Sequence, residues 1–314
     1  MNCGMWWSRN RCWVAPVVAL GSGALVWALV WNWSNRQQGN RPSRGPFALP
    51  AATKAGPSPE FTRESRVESA PDSERTPAMV AEILRRSPSD ATPEERAIVW
   101  AFIKKAPAKE QEALWLLGID EALTWIRGAE QAGAEVESGL LELVQRRDYP
   151  EALREFALQH LGVWTEEHLA GAAVLEALQK LVVSERATKI AGQSLQVLCR
   201  SRFAESQMPW IRDAALSLAT DSAAHPGSKT AAVEVGGHCG FEEIEPWARQ
   251  LLVQAQGVGE KMVAFNVLGW VGSRGTLEWL EKQPPCGEGL AAAAQKQALH
   301  TLQERWAPGR TGGN

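Results

Sequence analysis

The stretch VAFNVLGWVGSRGTLEWLEK, residues 263–282, decides the fold class because two apolar-patterned segments flank a short Gly-Ser-Arg-Gly connection. Val267 and Trp270 lie three residues apart, and so do Leu277 and Leu280, which is a spacing that places side chains on one face of a helix. A single amphipathic helix cannot bury its own apolar face. The stretch therefore predicts two helices that pack against each other across a tight turn.

The same unit recurs along the C-terminal part of the chain. Apolar-small pairs stand at similar points of five segments: Leu117-Gly118, Leu161-Gly162, Leu198-Cys199, Val235-Gly236 and Leu268-Gly269. The second residues of these pairs lie 44, 37, 37 and 33 positions apart, which is the length of one antiparallel helix pair. Residues 154–162 and 261–269 share a basic residue, an Ala three positions later and a closing Leu-Gly. These features predict a repeated helix pair.

This pattern resembles HEAT-like helical repeats, especially their short bacterial form, over about residues 108–305. The resemblance implies an all-α fold in which helix pairs stack into an α-solenoid with a concave binding face. It implies no chemistry, because that architecture hosts scaffolds far more often than active sites.

Helix ends within this domain are marked by capping residues and glycines. Residues 92–95, Thr-Pro-Glu-Glu, form a capping-box start, and Glu151 follows Pro150 at the start of another helix. Thr165 is predicted to cap a further helix, with His168 as an exposed residue of its first turn. Glycines predicted to mark breaks between helices are Gly118, Gly128, Gly162, Gly236, Gly237, Gly257 and Gly275.

The N-terminal segment has the composition of a membrane span. No charged residue occurs in the 24 positions between Arg11 and Arg36, and about 20 apolar residues suffice to cross the hydrocarbon core. Residues 12–34 are therefore predicted to be a transmembrane signal anchor in contact with membrane lipid, behind a short tail at 1–11. The alternative, a signal peptide cleaved after Ala24, would leave an apolar run on the mature chain. Two tryptophan clusters are predicted to form the aromatic belts: Trp6, Trp7 and Trp13 at one end, and Trp27, Trp31 and Trp33 at the other.

Small residues within the predicted span provide a possible contact between helices. Ala15, Ala19 and Gly23 recur at every fourth position, a spacing that lets two membrane helices approach closely. Self-association through this face is one interpretation; ordinary use of Ala and Gly in an apolar helix is the other. Basic residues nearly balance on the two sides of the span, and we favour an orientation with the N-terminus inside. The helical domain is then expected on the extracytoplasmic side, of the inner membrane if the organism is a bacterium.

A proline-punctuated linker separates the span from the helical domain. Residues 35–76 contain six prolines among Ser, Gly, Arg and Glu, and no apolar periodicity persists there. Such a composition cannot bury enough surface to offset chain entropy, so a disordered tether is predicted. The helical repeat domain then covers 77–314. Its net charge is −7 against +4 for residues 1–77, which argues against nucleic acid as a partner.

Tryptophan is the unusual residue of this domain. The chain has 15 Trp but only one Tyr, and nine of the Trp lie beyond the linker, mostly at apolar helical positions. Most are predicted to be core residues between repeats. Trp270 and Trp279 of the clearest repeat are the predicted partner-binding residues, because Trp is enriched at binding hot spots.

The region from His225 to Glu243 holds the densest set of metal-ligand residue types, including His238 and Cys239. Adjacent side chains rarely converge on one ion, and no second Cys or His follows at finger-like spacing, so an ordinary loop is the competing interpretation. Among Cys199, Cys239 and Cys286, at most one pair could form a disulfide.

No nucleotide-binding or hydrolase motif occurs in the chain. We therefore expect no enzyme activity, no cofactor and no metal. The predicted function is a single-pass, membrane-tethered scaffold or adaptor that binds a protein or peptide on the solenoid surface. The alternatives are a metal-binding or enzymatic protein that uses the region from His225 to Glu243, and a self-assembling structural membrane protein.

Overall fold

The computed structural model describes residues 79–105, 112–168, 170–287 and 289–307, and all regular structure in these ranges is helical. The all-α prediction is confirmed for this part of the chain. The predicted anchor, its tryptophan belts, the small-residue stripe and the linker lie outside the described residues. None of the helices within the described ranges has the length and apolar character needed to cross a bilayer.

Thirteen helices follow one another in the described residues, joined by short connections. They are α1 (79–84), α2 (Pro93–Lys104), α3 (Glu112–Arg127), α4 (Gly133–Gln145), α5 (Glu151–Glu167), α6 (Ala172–Ser184), α7 (Ile190–Arg200), α8 (Ala204–Thr220), α9 (Pro226–His238), α10 (Glu245–Gln254), α11 (Val258–Val271), α12 (Arg274–Leu280) and α13 (Leu290–Trp306). Short 3-10 turns occupy Pro88–Asp90, Glu130–Ala132 and Glu242–Ile244. The stretch at 263–282 is the helix pair α11–α12, as its pattern predicts.

The helices pack in two rows that follow the order of the chain. The odd row comprises α3, α5, α7, α9, α11 and α13, and each of these helices contacts the next odd helix directly. The even row comprises α2, α4, α6, α8, α10 and α12, and each of these helices packs on a sequence neighbour in the odd row. The apolar core lies between the two rows and between neighbouring helices of the odd row.

Glycines allow the helices of the odd row to approach closely. A Cβ on Gly192 of α7 would lie 2.6 Å from Cα of Ser228 in α9, and one on Gly269 of α11 would lie 3.2 Å from Cα of Ala298 in α13. The sequence interpretation of these residues as breaks is wrong at five positions, which lie inside helices: Gly118, Gly162, Gly236, Gly237 and Gly275. At the first four of these positions the missing side chain serves a close contact, because an added Cβ would lie 3.3 Å or less from a side chain of a neighbouring element. Gly275 has no such contact; the break lies just before it, and α12 begins at Arg274.

The capping-box prediction is confirmed at the start of α2. The backbone amide of Glu95 donates to the Thr92 hydroxyl at 3.2 Å, and the Thr92 amide donates to the Glu95 carboxylate at 3.0 Å. The predicted start at Glu151 is also confirmed. Both signals are local: the capping partners of α2 lie within three residues of each other, and α5 begins directly after Pro150.

The predicted helix start at Thr165 is wrong, because α5 continues to Glu167. The Thr165 hydroxyl donates back to the Gly162 carbonyl at 2.9 Å, so it bonds within the helix instead of capping a new one. His168 follows the end of α5 and is half-buried, with its ring stacked on Trp164 at a centroid distance of 3.8 Å. It is therefore neither fully exposed nor in a first turn.

Most tryptophans of the domain pack in the core, as predicted. Four are buried: Trp100, Trp115, Trp125 and Trp164. Four others are partly buried against the core: Trp210, Trp247, Trp270 and Trp279. Among the tryptophans of the described residues, only Trp306, at the end of α13, is exposed.

Candidate binding surface

The outward face of the odd row is clearest on α7. Gln193, Gln196 and Arg200 are half-buried, whereas every other residue of this helix is buried. Their spacing of three and four residues places them on one stripe. This stripe is the side that α7 presents to solvent.

Neighbouring odd helices continue the same stripe through side-chain contacts. The Gln193 amide donates to the Glu155 carboxylate of α5 at 3.1 Å, and the Gln196 amide donates to Glu234 of α9 at 2.7 Å. Both pairs join residues 38 positions apart, close to the spacing that the sequence predicts for one helix pair. We call the outward face of the odd row the odd-row surface. Its central members are Glu155, Gln193, Gln196, Arg200, Glu234, His238, Asn266 and Trp270.

Arg200 lies near the centre of the odd-row surface. It forms no ion pair and no side-chain hydrogen bond with any other residue that the structure describes. Burial raises the pKa of Glu234, against the opposing positive charge of Arg200 and a hydrogen bond from Gln196. Desolvation lowers the pKa of His238, and the positive charge of Arg200 lowers it further, so its ring is neutral at neutral pH. The Arg200 guanidinium thus lies near two groups, Glu234 and His238, whose pKa shifts favour their neutral forms.

Trp270 belongs to the odd-row surface. Its ring meets His238 of α9 edge-on, at a centroid distance of 5.9 Å, and is partly buried against the core. An aromatic ring beside a neutral imidazole and the nearby Asn266 forms an amphipathic patch. The structure therefore places this sequence-predicted residue where a partner could reach it.

Trp279 lies elsewhere. It is on α12 of the even row, where the Arg249 guanidinium of α10 lies 5.5 Å from its ring centroid. The two tryptophans predicted as one binding pair thus contact different helices in different rows.

The region from His225 to Glu243 is spread over separate contacts. His225 Nδ1 accepts a hydrogen bond from the Gly227 amide at 3.0 Å and caps the start of α9. Cys239 contacts the thiol of Cys199, and Glu243 forms an ion pair with Arg212. Among the residues that the structure describes, no group of three His, Cys, Asp or Glu side chains is arranged to hold a metal ion.

A second surface feature is the open groove between α2 and α4. Trp100 fills its floor, with its indole N–H donating to Glu135 at 3.0 Å, and Lys104 forms an ion pair with Glu142 at 2.6 Å. A Cβ on Gly139 would lie 2.5 Å from the Trp100 ring, so the ring packs directly on the α4 backbone. The charged groups of this groove are already paired, Lys104 with Glu142 and Glu135 with Arg96, which leaves few groups for a ligand.

The candidate surface residues that sequence reasoning missed are the polar members of the odd-row surface: Gln193, Gln196, Arg200 and Glu234. The glutamines and Arg200 recur at helical spacing along α7, and this was the available signal. No family model matches the chain, and no curated protein and no solved structure shows significant similarity to it. What the odd-row surface can bind must therefore be inferred from its own side chains.

Proposed function

We propose that the chain is a membrane-tethered scaffold or adaptor, without enzyme activity, that binds a protein or peptide partner on the odd-row surface. The helical domain is an α-solenoid of HEAT-like helix pairs, and residues 12–34 anchor it to the membrane. The anchor is supported by the uncharged sequence between Arg11 and Arg36. The helical domain lies on the extracytoplasmic side of the membrane.

One observation carries the solenoid proposal: each odd helix contacts the next odd helix in chain order. In a closed bundle, sequential helices surround one shared core and outward faces point in different directions. In a stacked array, each repeat contacts only its neighbours, and the outward faces join into one extended surface. Hydrogen bonds between residues one repeat apart, such as Gln196 to Glu234, are what such a stack produces.

The chemistry of the odd-row surface suits a protein or peptide. Glutamine and asparagine amides both donate and accept hydrogen bonds, as a peptide backbone does. Trp270 and Arg200 are residue types enriched at protein-binding hot spots. A face made of amide, carboxyl, imidazole, guanidinium and indole groups differs from the enclosed apolar clefts that bind small molecules and from the basic stripes that bind nucleic acid.

The test compares two matched substitutions, Trp270→Ala and Trp279→Ala, in the full-length chain. Each removes one partly buried indole from the same helix pair, but only Trp270 lies on the odd-row surface. The tagged chain is isolated from the membranes of the cells that make it, and co-purifying proteins are quantified by mass spectrometry. Circular dichroism establishes that both variants are folded.

We expect Trp270→Ala to lower retention of a specific partner by about tenfold or more, since a hot-spot residue contributes about 2 kcal/mol. Trp279→Ala should retain the partner. Loss in the Trp279 variant alone, or equal retention in both folded variants, would contradict the odd-row assignment. Retention of a differently tagged second copy of the chain, with no other partner, would favour the self-assembly alternative.

A further inference from the structure

Two thiols from neighbouring helix pairs are in contact beneath the odd-row surface. Cys199 is the penultimate residue of α7, and Cys239 directly follows α9. Their Sγ atoms are 3.2 Å apart, although the residues are 40 positions apart in the chain. Cys286, the third cysteine of the described residues, lies in the connection before α13, where its backbone amide donates to Gln295 at 2.8 Å.

We propose that Cys199 and Cys239 form an intramolecular disulfide, a redox modification that ties α7 to the end of α9. This inference does not depend on the scaffold role. A disulfide requires a separation of about 2.05 Å, so the sulfurs must close by about 1 Å. Cys239 lies outside its helix and is followed by Gly240, which has φ +76° and no neighbouring heavy atom within 4 Å of an added Cβ. The turn therefore has room to adjust.

The two thiols differ in accessibility, which assigns them different roles. Cys239 is half-buried, and a hydrogen bond from the Cys199 thiol lowers its pKa. Cys199 is only 5% exposed, and this hydrogen bond together with burial raises its pKa. Because the thiolate is the nucleophile, Cys239 reacts first with an oxidant from solvent. Cys199 is the resolving thiol.

The oxidant is a disulfide, either a small molecule such as oxidised glutathione or the active-site disulfide of an oxidoreductase. The Cys239 thiolate attacks one sulfur of that disulfide, a mixed disulfide forms, and the first thiolate of the oxidant leaves. Cys199 then loses its proton to solvent, and its sulfur attacks Sγ of Cys239 and expels the second thiolate. The protein loses two electrons and two protons, and one disulfide of the oxidant becomes two thiols.

The cross-link would lie next to the centre of the odd-row surface. Cys199 precedes Arg200, and Cys239 follows His238, so both surface residues are adjacent in sequence to the linked sulfurs. Oxidation would fix the spacing of α7 and α9 at this point. Such a bond persists in oxidising compartments and is reduced in the cytosol.

The experiment uses the full-length chain in detergent micelles, reduced, freed of reductant and equilibrated with glutathione buffers of increasing oxidising strength. Acid quenching, alkylation of the denatured chain and peptide mass spectrometry then identify which cysteines are linked. Cys199→Ser, Cys239→Ser and, as a matched control, Cys286→Ser are treated in parallel. Circular dichroism confirms that each variant is folded.

We expect loss of two alkylatable thiols and one linked peptide pair containing Cys199 and Cys239, in the parent chain and in Cys286→Ser. Cys199→Ser should accumulate a glutathionyl group on Cys239, because the resolving thiol is absent. Cys239→Ser should leave Cys199 unmodified, because it is buried. Free thiols on both Cys199 and Cys239 in the folded parent chain at the most oxidising ratio would overturn the proposal. So would a stable mixed disulfide on Cys239, or linkage of either residue to another cysteine.

Discussion

Replacing Gly192 by alanine tests whether the close approach of α7 and α9 holds the odd row together. The added methyl group would lie 2.6 Å from Cα of Ser228 and 2.8 Å from Cβ of Ala231. Neither atom can move aside by side-chain rotation, because Cα is a backbone atom and Cβ is bonded directly to the backbone. The Gly192 amide also donates to the Ser228 hydroxyl at 3.0 Å, a bond that separation of the helices would break.

The expected effect follows from opposing contributions. Alanine is favoured over glycine inside a helix by about 1 kcal/mol. Overpacking a close contact costs about 1–3 kcal/mol, and loss of the buried hydrogen bond costs about 1 kcal/mol more. The net loss of unfolding free energy is about 1–3 kcal/mol, which corresponds to a decrease in Tm of about 3–10 °C for a domain of this size.

The assay is thermal unfolding of the full-length chain in detergent, followed by circular dichroism. Gly275→Ala is the matched control, because it makes the same change in α12 and its nearest heavy atoms would lie 3.7 and 3.8 Å away. That variant should keep or raise Tm, by about 3 °C at most. A Gly192 variant as stable as the parent chain would refute the argument that this glycine is required by a close helix contact.

Three further predictions concern buried polar groups and one helix cap. Glu185→Gln should lower the unfolding free energy by about 3–5 kcal/mol in chemical denaturation, because it leaves the buried Arg154 guanidinium without its carboxylate at 3.1 Å; a change below 1 kcal/mol would refute this. Burial acts to raise the pKa of Glu185, but hydrogen bonds and charges from Arg154 and Arg147 outweigh it and leave the pKa lowered. The ionised Glu185 carboxylate should thus stabilise the fold fully above its unfolded pKa, near 4.3, and this stabilisation should be lost as pH falls through its lower folded pKa. An equal loss of Tm on acidification in the parent chain and in Glu185→Gln would contradict this. Burial lowers the pKa of His160, so stability should decrease as pH falls below about 6.5, and His160→Gln should remove that part of the slope in Tm measured against pH. Thr92→Ala should cost about 1 kcal/mol by chemical denaturation, through loss of the capping box, and an unchanged midpoint would contradict it.

Local patterns in the sequence were sufficient for much of the fold. The starts of α2 and α5 are encoded by caps and prolines within a few residues, and the pair α11–α12 follows from apolar spacing within 263–282. Thr165 shows the limit of this reasoning. A threonine followed by two glutamates matches a helix start, but its hydroxyl can equally bond to the preceding turn, and tertiary packing decides between the two.

Long-range contacts explain what the sequence did not predict. Helical spacing places Trp270 and Trp279 on their own helices, but it does not say that these helices belong to different rows. The contact between Cys199 and Cys239 was accessible in principle. Their separation of 40 positions is close to the repeat length, and such a separation places residues side by side on adjacent repeats. The sequence alone did not predict it because it does not show that α7 packs against α9.

Site-specific photocrosslinking in living cells tests the central claim, that the odd-row surface binds a protein partner, most directly. A photoreactive amino acid is placed at Gln196 on the odd-row surface and, as a control, at Ala101, an exposed residue of α2 in the even row. We predict a discrete cross-linked partner from Gln196 and none from Ala101. Cross-linking from Ala101 alone, or from neither position in a folded and membrane-inserted chain, would contradict the proposed function.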